Sequence, residues 1–451
     1  MDKFFGITQS GSNVRTEIIA GVTTFFTMAY IMFVNPEILE KAGMDKSGVF
    51  VATILAAAIG TLIMGLVAKV PFATAPGMGL NAFFTFTVCM SLKFQWQEAL
   101  AMVFICGIIN IIITVTKLRK AIITSIPRSL QLAIGGGIGL FIAYIGFINS
   151  GVISISGAVP SLSKFTDAGP ILTLIGLLII TTLMMLKVKG AMLIGIITAT
   201  IIGIPMGVTI LPEKLFDLSR LAGFHDVSLA FFGEIGFKSL FIGGRGLIVF
   251  VIVFAFSLTD TFDTIGTFIG TGRKSGIFDA ADEASLLESK GFKSKMDKAL
   301  FADATATSIG ALLGTSNTTS YIESASGINE GGRTGFTSVV VAVLFIICLP
   351  LVAIFGMAPA QATAPALIIV GILMAESFKG IRWDQIDESI PAFFTIVIMT
   401  FAYNISYGIA AGFIFYCLIK LCKGQAKEIH PILFGATLVF ILYFILMAVT
   451  K

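Results

Sequence analysis

Charged side chains are scarce in this chain. Of its 451 residues only 12% are Asp, Glu, Lys or Arg, whereas soluble domains carry about 25%. Histidine and tryptophan occur only twice each. These shortages exclude a soluble domain of ordinary composition and leave no His-based catalytic group or metal cluster to predict. We therefore expect no enzymatic activity, no metal and no cofactor, and the net charge of +4 does not indicate a nucleic-acid partner.

Cysteine is scarce as well, and its pattern excludes both a disulfide framework and a metal site. The five cysteines are an odd number and lie in or beside apolar segments without metal-ligand spacing. The N-terminal stretch 1–21 also lacks the charged, apolar and small-residue regions of a cleaved secretory signal. We therefore expect free cysteines and a first span that serves as its own insertion signal.

Long apolar runs dominate what remains. Hydrophobic residues make up 56% of the chain and the mean hydropathy is +0.97. Runs of about 20 residues, enough to cross a bilayer as a helix, recur along it. The sequence thus predicts an all-α polytopic membrane protein with two sets of seven spans, and an apolar run at 431–449 that either spans or packs at the periphery. The predicted spans are 16–35, 48–68, 75–92, 97–117, 128–148, 170–187, 190–208, 245–269, 299–314, 318–330, 335–356, 361–378, 389–402 and 405–422.

Lysine and arginine cluster in short loops, which predicts the orientation of the chain. Three such clusters lie at 117–128, 187–189 and 273–298. Basic residues of short loops are retained on the cytoplasmic side of a membrane. These loops alternate correctly with an N-terminus inside, so we expect a multi-pass plasma-membrane protein with a cytoplasmic N-terminus.

The two sets of spans share a weak internal similarity. ILAAAIGTL (54–62) aligns with ATATSIGAL (304–312), and each copy is followed by a short polar segment, at 71–84 and at 314–332. Seven spans per repeat, an odd number, invert the second copy, and matching Gly- or Pro-broken segments are typical of a transporter's midplane site. The predicted domains are a first inverted repeat (1–215), a second inverted repeat (216–430) and an extra apolar C-terminal segment (431–451).

Two acids lie inside an apolar run at FSLTDTFDTIG (256–266). Four polar residues, three in this stretch and one directly after it, are spaced i, i+3, i+4 and i+7 and would share one face of a helix. They are Asp260, Asp263, Thr264 and Thr267. A carboxylate at the centre of a membrane helix costs about 2.5–3.5 kcal/mol, so it needs a cavity, a partner or a proton. The alternatives are a carboxyl bonded to a neighbouring helix, or one at the cytoplasmic end of the span.

The polar segment NTTSYIESASGI (317–328) contains an acid as well. An extended backbone at membrane depth is tolerated only where it is buried in protein or lines a cavity. Glu323, beside the half-helix that follows, is well placed to accept hydrogen bonds from ligand N–H groups, and a stray acid in an outside loop is the alternative. The matching segment of the first half contains Asn81, which either caps a helix or points its amide into a cavity.

Five long motifs resemble those of one transporter family. They are GVTTFFTMAYIMFVNPEIL (21–39), APGMGLNAFF (75–84), FSLTDTFDTIGT (256–267), TSNTTSYIESASGI (315–328) and APALIIVGILM (364–374). With these motifs the chain resembles the nucleobase-ascorbate transporter superfamily, in the branch of hypoxanthine/guanine/adenine permeases. The resemblance runs from the first span to the twelfth.

The resemblance implies both a fold and a mechanism. The fold is two inverted repeats of seven segments, divided into a core and a gate domain, with short strands in the third and tenth segments. The activity is import of hypoxanthine, guanine or adenine by proton symport, with an elevator-like movement of the core against the gate. The implied partners are the purine nucleobase, the proton and the lipid bilayer, and many members are homodimers.

The resemblance also assigns roles to residues. Asp260 and Glu323 would hydrogen-bond the edges of the purine, with Asn81 assisting. Asp263 would support coupling. A buried acid could also bind the driving proton, so the candidates for that role are Asp260, Asp263 and Glu323. The expected aromatic walls are Phe83, Phe84, Phe262 and Tyr321. The predicted substrate-binding residues are Asp260, Glu323, Asn81, Asp263, Phe83, Tyr321, Ser324 and Thr264.

Other functions stay open on the sequence alone. A carrier with the same fold could move xanthine, pyrimidine bases or an inorganic anion, although two carboxylates would repel an anion. An ion channel, whose polar segments would form a filter, is a more distant alternative. Inverted repeats and isolated midplane acids favour the carrier.

Overall fold

The described residues fold mostly into helices, with four short strands among them. The computed structural model describes residues 2–116, 124–155, 159–212, 218–273, 275–279, 281–282 and 294–449. The helices of the first half are α1 (Asp2–Phe5), α2 (Val14–Met28), α3 (Ile31–Glu40), α4 (Lys46–Ile63), α5 (Met78–Ala82), α6 (Trp96–Val115), α7 (Arg128–Asn149), α8 (Ala168–Met185) and α9 (Ala191–Gly203). Its strands are β1 (Thr74–Pro76), β2 (Ile153–Ile155) and β3 (Pro160–Leu162).

The described part of the second half again consists of long helices, with one strand among them. Its helices are α10 (Phe224–Val227), α11 (Phe237–Leu240), α12 (Gly246–Thr267), α13 (Lys295–Leu313), α14 (Ser324–Asn329), α15 (Gly335–Ile347), α16 (Val352–Gly356), α17 (Ala360–Met374), α18 (Ile386–Phe401), α19 (Ile405–Cys422) and α20 (Pro431–Val449). Its strand is β4 (Thr318–Ser320). Wider π-helical turns at Met64–Ala68, Phe83–Ser91 and Phe268–Arg273 continue α4, α5 and α12.

Side-chain caps begin several spans, because the first backbone N–H groups of a helix need acceptors. Asn13 caps α2 by accepting from the backbone N–H of Thr16 at 3.0 Å. Ser294 accepts from Asp297 at the start of α13, and Asp297 accepts from the Ser294 backbone in return. Such caps satisfy polar groups that apolar surroundings could not.

The described residues contain enough apolar helix for a multi-pass membrane protein. Eight helical stretches are long and apolar enough to cross a membrane, and the bent pair Gly335–Ile347 and Leu349–Gly356 makes a ninth. Shorter apolar helices occupy 78–91, 191–203 and 431–445. The predicted all-α polytopic fold is confirmed, and the first span is broken at Ala29 and Tyr30 between α2 and α3.

The long helices pack as two groups. In one, which we call the core, α13 lies against α4 and α6, α15 against α2 and α4, and α12 against α6. In the other, which we call the gate, α7 packs on α17 and α18, α18 packs on α19, and α8 packs on α9 and α17. The predicted core and gate are thus present in the packing.

One strand from each half meets in the core. β1 and β4 pair antiparallel, with Thr74 opposite Ser320 and Pro76 opposite Thr318. The strands predicted in the third and tenth segments are therefore confirmed, and they belong to a single two-stranded sheet. β2 and β3 form a separate antiparallel pair, with Ile153 opposite Leu162.

Two glycines let helices approach these strands closely. A Cβ on Gly60 of α4 would overlap the hydroxyl oxygen of Thr74 in β1. A Cβ on Gly310 of α13 would overlap the hydroxyl oxygen of Thr318 in β4. The two glycines that the internal alignment pairs thus do the same job in each half, because only glycine leaves room for a strand at that distance.

The C-terminal helix α20 extends the fold beyond the two sets of seven spans. It lies antiparallel to α19, since Phe440 packs on Phe413 with ring centroids 6.0 Å apart while Tyr443 packs on Tyr407 at 6.5 Å. It also contacts α12. Helix α20 therefore lies on both groups, against a gate helix and a core helix.

Candidate functional site

The site is built around the crossing of β1 and β4. The hydrogen bonds between the two strands continue beyond both ends of the sheet. The backbone N–H of Gly77 donates to the Asn317 carbonyl and the backbone N–H of Tyr321 donates to the Ala73 carbonyl, each at 2.9 Å. Each strand leads directly into a short helix, α5 or α14. Both strands are buried, so extended backbone lies inside the core, where its polar groups are paired with one another.

Helix α12 presents its two acids to different surroundings. Asp260, Thr264 and Thr267 are buried, whereas Asp263 is exposed. The positions i and i+3 of a helix differ by about 60° in direction, which is enough to separate the two carboxylates when a neighbour packs between them. The single polar face expected from the spacing is therefore divided into a buried edge and an open edge.

On the open edge, Asp263 lies beside the strand crossing. The hydroxyl of Thr319 in β4 donates to its Oδ2 over 3.5 Å. Glu323 follows Thr319 by four residues and is half-buried. It is close enough to Asp263 for the two charges to repel. We call Asp263 and Glu323 the open carboxylate pair.

Glu323 is held from the break in the first span. The phenol of Tyr30 donates to its Oε1 at 2.6 Å. The hydroxyl of Thr27 lies 3.4 Å from the backbone carbonyl of the same residue. Glu323 immediately precedes α14, so these contacts fix the start of that short helix against α2.

On the buried edge, Asp260 is enclosed by polar side chains and is 1% exposed. Its Oδ2 accepts from Asn110 at 2.8 Å and from Thr307 at 3.3 Å. Asn110 in turn accepts from the hydroxyl of Ser257. The Oδ1 of Asp260 has no hydrogen-bond partner among the described residues.

A second buried acid, Asp303 of α13, was not predicted from the sequence. It is 4% exposed and accepts from Thr264 at 2.7 Å and from Ser320 at 2.8 Å. Asp260 and Asp303 are close enough for their charges to repel. We call Asp260 and Asp303 the buried carboxylate pair.

The two acids of the buried pair are bridged reciprocally. Thr264, one turn after Asp260, donates to Asp303, and the hydroxyl of Thr307, one turn after Asp303, is shared between Asp260 at 3.3 Å and the Thr318 carbonyl at 3.0 Å. The Asp-x-x-x-Thr spacing in both α12 and α13 places acid and hydroxyl on one face of each helix. This repeated spacing was the signal that could have identified Asp303.

Among the described residues, neither carboxylate pair has a cationic partner. In the parts of the chain that the structure describes, the ion pairs lie elsewhere, for example Lys189 with Glu330 and Arg245 with Glu98. The four carboxylates instead accept from hydroxyl and amide groups. Four acids without a compensating cation are costly to keep charged in a low-dielectric interior, so a proton or a donor-rich ligand has to stabilise them.

Most of the other predicted residues have their polar groups engaged within the protein. Tyr321 donates to the Pro76 carbonyl at 2.6 Å, and Ser324 accepts from the Ala73 backbone at 3.0 Å. Both contacts fasten the strand pair. Thr264 is used by Asp303, as described above. These groups act on the shape of the site through the elements that they hold together.

Asn81 and Phe83 lie inside the core behind the strands. Asn81 is the fourth residue of α5, does not cap it, and accepts from the Ser316 hydroxyl. Its Nδ2 has no partner among the described residues. Phe83 is fully buried and packs on Phe256 with ring centroids 4.5 Å apart. Among the described residues, both N–H bonds of the Asn81 side-chain nitrogen are thus unused.

Comparison with known proteins identifies the family. A family model described as the permease family matches residues 15–411. The guanine/hypoxanthine permease PbuG of Bacillus subtilis is 39% identical over 99% of this chain and 99% of its own length. The adenine permease AdeP of Escherichia coli is 39% identical over 98% of this chain and 95% of its own. A putative permease of Methanocaldococcus jannaschii is 42% identical over 99% of this chain and 98% of its own.

Solved structures share the fold at low sequence identity. The transmembrane domain of the cyanobacterial bicarbonate transporter BicA superposes with a TM-score of 0.62 at 15% identity, covering 88% of this chain and 97% of that one. The structure of SLC26A9 gives 0.62 at 12% identity, covering 91% and 66%. These likenesses establish the architecture alone. The family model and the whole-length match to the permeases show that the chain belongs to the permease family, the nucleobase-ascorbate transporter family that its motifs resemble.

Proposed function

We propose that this permease imports purine nucleobases, with hypoxanthine, guanine and adenine as its substrates, by proton symport. The observation that carries the proposal is the open carboxylate pair beside the strand crossing. Asp263 and Glu323 are not neutralised by any cation among the described residues and present acceptor oxygens. The names of the guanine/hypoxanthine and adenine permeases, each matched over nearly its whole length, support the choice of cargo.

The chemistry of the open pair suits a neutral base better than an anion. A purine offers ring and exocyclic N–H donors along its edges, and a carboxylate can only accept. A hydrogen bond to a charged group contributes about 1.5–3 kcal/mol, so two such bonds would supply much of a micromolar affinity of about 8 kcal/mol. An inorganic anion would meet two negative charges instead.

The geometry favours different roles for the two acids of α12. Asp260 was expected to contact the purine opposite Glu323, with Asp263 as a helper. We now propose Asp263 for the base contact, because it is exposed on the same edge as Glu323, whereas Asp260 is enclosed. Asn81 is proposed to assist from the first repeat through its unused side-chain N–H groups, and Phe83 to shape the wall behind it.

The buried carboxylate pair is proposed to carry the coupling proton. Two acids bridged by threonines and close enough to repel cannot both stay ionised in a dry interior, so the pair takes up and releases one proton as a unit that needs both acids. Thr264 directly follows Asp263 in α12. A change in the protonation of the buried carboxylate pair can therefore be transmitted to the base contact at Asp263. Release of the proton would leave an uncompensated charge and favour the opposite state of the carrier.

Movement of the core against the gate is proposed as the step that carries the base across. The packing separates the two groups, and the open pair lies in the core at its strand crossing. The inverted repeats at 1–215 and 216–430, the cytoplasmic N-terminus and the homodimer are part of the same proposal. The paired glycines behind the two strands support the inverted repeats, the basic loops of the sequence support the cytoplasmic N-terminus, and the homodimer rests on the family resemblance alone.

Uptake by cells that lack their own purine permeases tests the proposal. Cells that produce this chain should take up labelled hypoxanthine, guanine or adenine saturably, and a protonophore should abolish the accumulation. Asp263→Asn and Glu323→Gln should each abolish uptake while the protein still reaches the membrane. Glu376→Gln, at an exposed ion pair with Lys379, is the matched control and should transport normally. Normal uptake by both site variants would overturn the site assignment.

A further inference from the structure

A tyrosine in the break of the first span donates a hydrogen bond to Glu323. Tyr30 lies between α2 and α3 and is 1% exposed. A buried phenol needs a hydrogen-bond partner, and its O–H donates to Glu323 Oε1 at 2.6 Å. No role for Tyr30 follows from the spacing of acids along the sequence, because it approaches them from another helix.

Glu323 has few other groups around it that could hold or change its charge. The carboxylate of Asp263 in α12 faces Glu323. The hydroxyl of Thr319 in β4 donates its hydrogen bond to Asp263. The neighbouring Tyr321 donates to a backbone carbonyl. Among the described residues, Tyr30 is therefore the one side chain that donates to the Glu323 carboxylate.

We propose that Tyr30 is a specificity-determining positioning residue, which holds Glu323 as an ionised acceptor so that the site selects bases by their N–H groups. This inference rests on the proposed function and adds to it. A donor favours the charged form of the acid that it binds, and the repulsion from Asp263 acts in the opposite direction. With Oε1 occupied by Tyr30, Oε2 is left to receive an N–H from the base.

Loss of the phenol hydroxyl should change what the site accepts. Without the donor, Glu323 binds a proton more readily, and a neutral carboxyl can donate to a ring nitrogen as well as accept from one. A base whose N–H has been replaced by N–CH3 is rejected by an ionised acceptor but is tolerated better by a neutral one. Tyr30→Phe should therefore relax the discrimination between a base and its methylated derivative, and most strongly at acidic pH.

Competition by methylated bases tests the inference. Hypoxanthine and its N1-, N7- and N9-methyl derivatives compete with labelled hypoxanthine for uptake, across a range of pH. In the unmodified protein at least one derivative should compete poorly. In Tyr30→Phe the ratio of its inhibition constant to that of hypoxanthine should fall about tenfold, the loss expected for one hydrogen bond to a charged group. Tyr416→Phe, a half-buried phenol on α19, is the control and should keep the ratio.

The outcomes separate this inference from the proposed function. If the unmodified chain takes up no base, the proposed function fails. If it transports and Tyr30→Phe keeps both the ratio and the pH profile, only the role of Tyr30 is overturned. Should Tyr30→Phe not accumulate in the membrane, Glu323→Asp provides the second test, since it keeps the charge but withdraws the carboxylate from the phenol. That variant should show the same relaxed discrimination between hypoxanthine and its methylated derivative. An unchanged ratio of the two inhibition constants would also overturn the inference.

Discussion

Asp303→Asn is the substitution that separates proton coupling from base binding. The amide keeps the size of the side chain and one acceptor oxygen for Thr264 or Ser320, but it no longer binds and releases a proton. Because Asp303 is buried and accepts hydrogen bonds from two hydroxyl groups, a poorer fit of the amide should cost about 1–3 kcal/mol of unfolding free energy. The variant should therefore fold, with reduced stability.

The size of the transport defect follows from the proton gradient. One proton moving down 100 mV supplies about 2.3 kcal/mol, which corresponds to about a 50-fold gradient of base if one proton accompanies each base. If the buried pair carries that proton, Asp303→Asn should equilibrate the base across the membrane, with an accumulation ratio of about one. Binding of the base should persist, because the open pair is unchanged.

Purified protein in proteoliposomes provides the assay. Accumulation of labelled hypoxanthine is measured under an imposed proton gradient, with and without a protonophore, and exchange of internal for external base is measured without a gradient. Asp303→Asn should retain exchange and lose accumulation. Asp226→Asn, an exposed acid on α10, is the control and should retain both. Protonophore-sensitive accumulation by Asp303→Asn would refute the reasoning.

Three further predictions concern packing, movement and topology. Gly335→Ala should destabilise the core by about 1–3 kcal/mol and lower the unfolding midpoint, because the new Cβ would overlap the backbone oxygen of Gly65. Gly435→Ala is the control: position 435 has open space around it, so the unfolding midpoint should not shift. Lys189 of the α8–α9 connection pairs with Glu330 at the end of α14 at 2.6 Å, so Lys189→Glu should slow uptake, and adding Glu330→Lys should restore it. If Lys189→Glu transports normally, or if the double variant is as slow as the single variant, the pair does not join gate to core. Because α20 runs antiparallel along α19, tags at the two chain ends should be labelled from opposite sides of the membrane, and labelling from one side would show that α20 does not cross.

The spans and the strand crossing could be predicted because their signals are local. Apolar runs give the long helices, and the polar, small-residue segments at 71–84 and 314–332 cannot be ordinary membrane helices. Even the equivalence of Gly60 and Gly310 appeared in the alignment of the two halves. Each of these features depends on residues that are close together in the sequence.

The division of the acids could not be predicted because it depends on neighbouring helices. The spacing of Asp260 and Asp263 predicts a shared face, but Asn110 of α6 and Thr307 of α13 decide that only Asp260 is enclosed. Asp303 lies in a segment rich in small residues, where an acid near a span end is unremarkable without its partner. Tyr30 and Glu323 are 293 residues apart in the sequence, so only the packing of α14 on α2 brings them together.

Proton-driven accumulation of a purine base by the purified chain tests the central claim most directly. Proteoliposomes that contain the protein are given an inward proton gradient, and labelled hypoxanthine, guanine and adenine are supplied in turn. The account predicts saturable accumulation above equilibrium for at least one of these bases, its collapse when the gradient is removed, and its absence in Glu323→Gln. Accumulation that is indifferent to the gradient, or uptake of inorganic anions in place of bases, would contradict it.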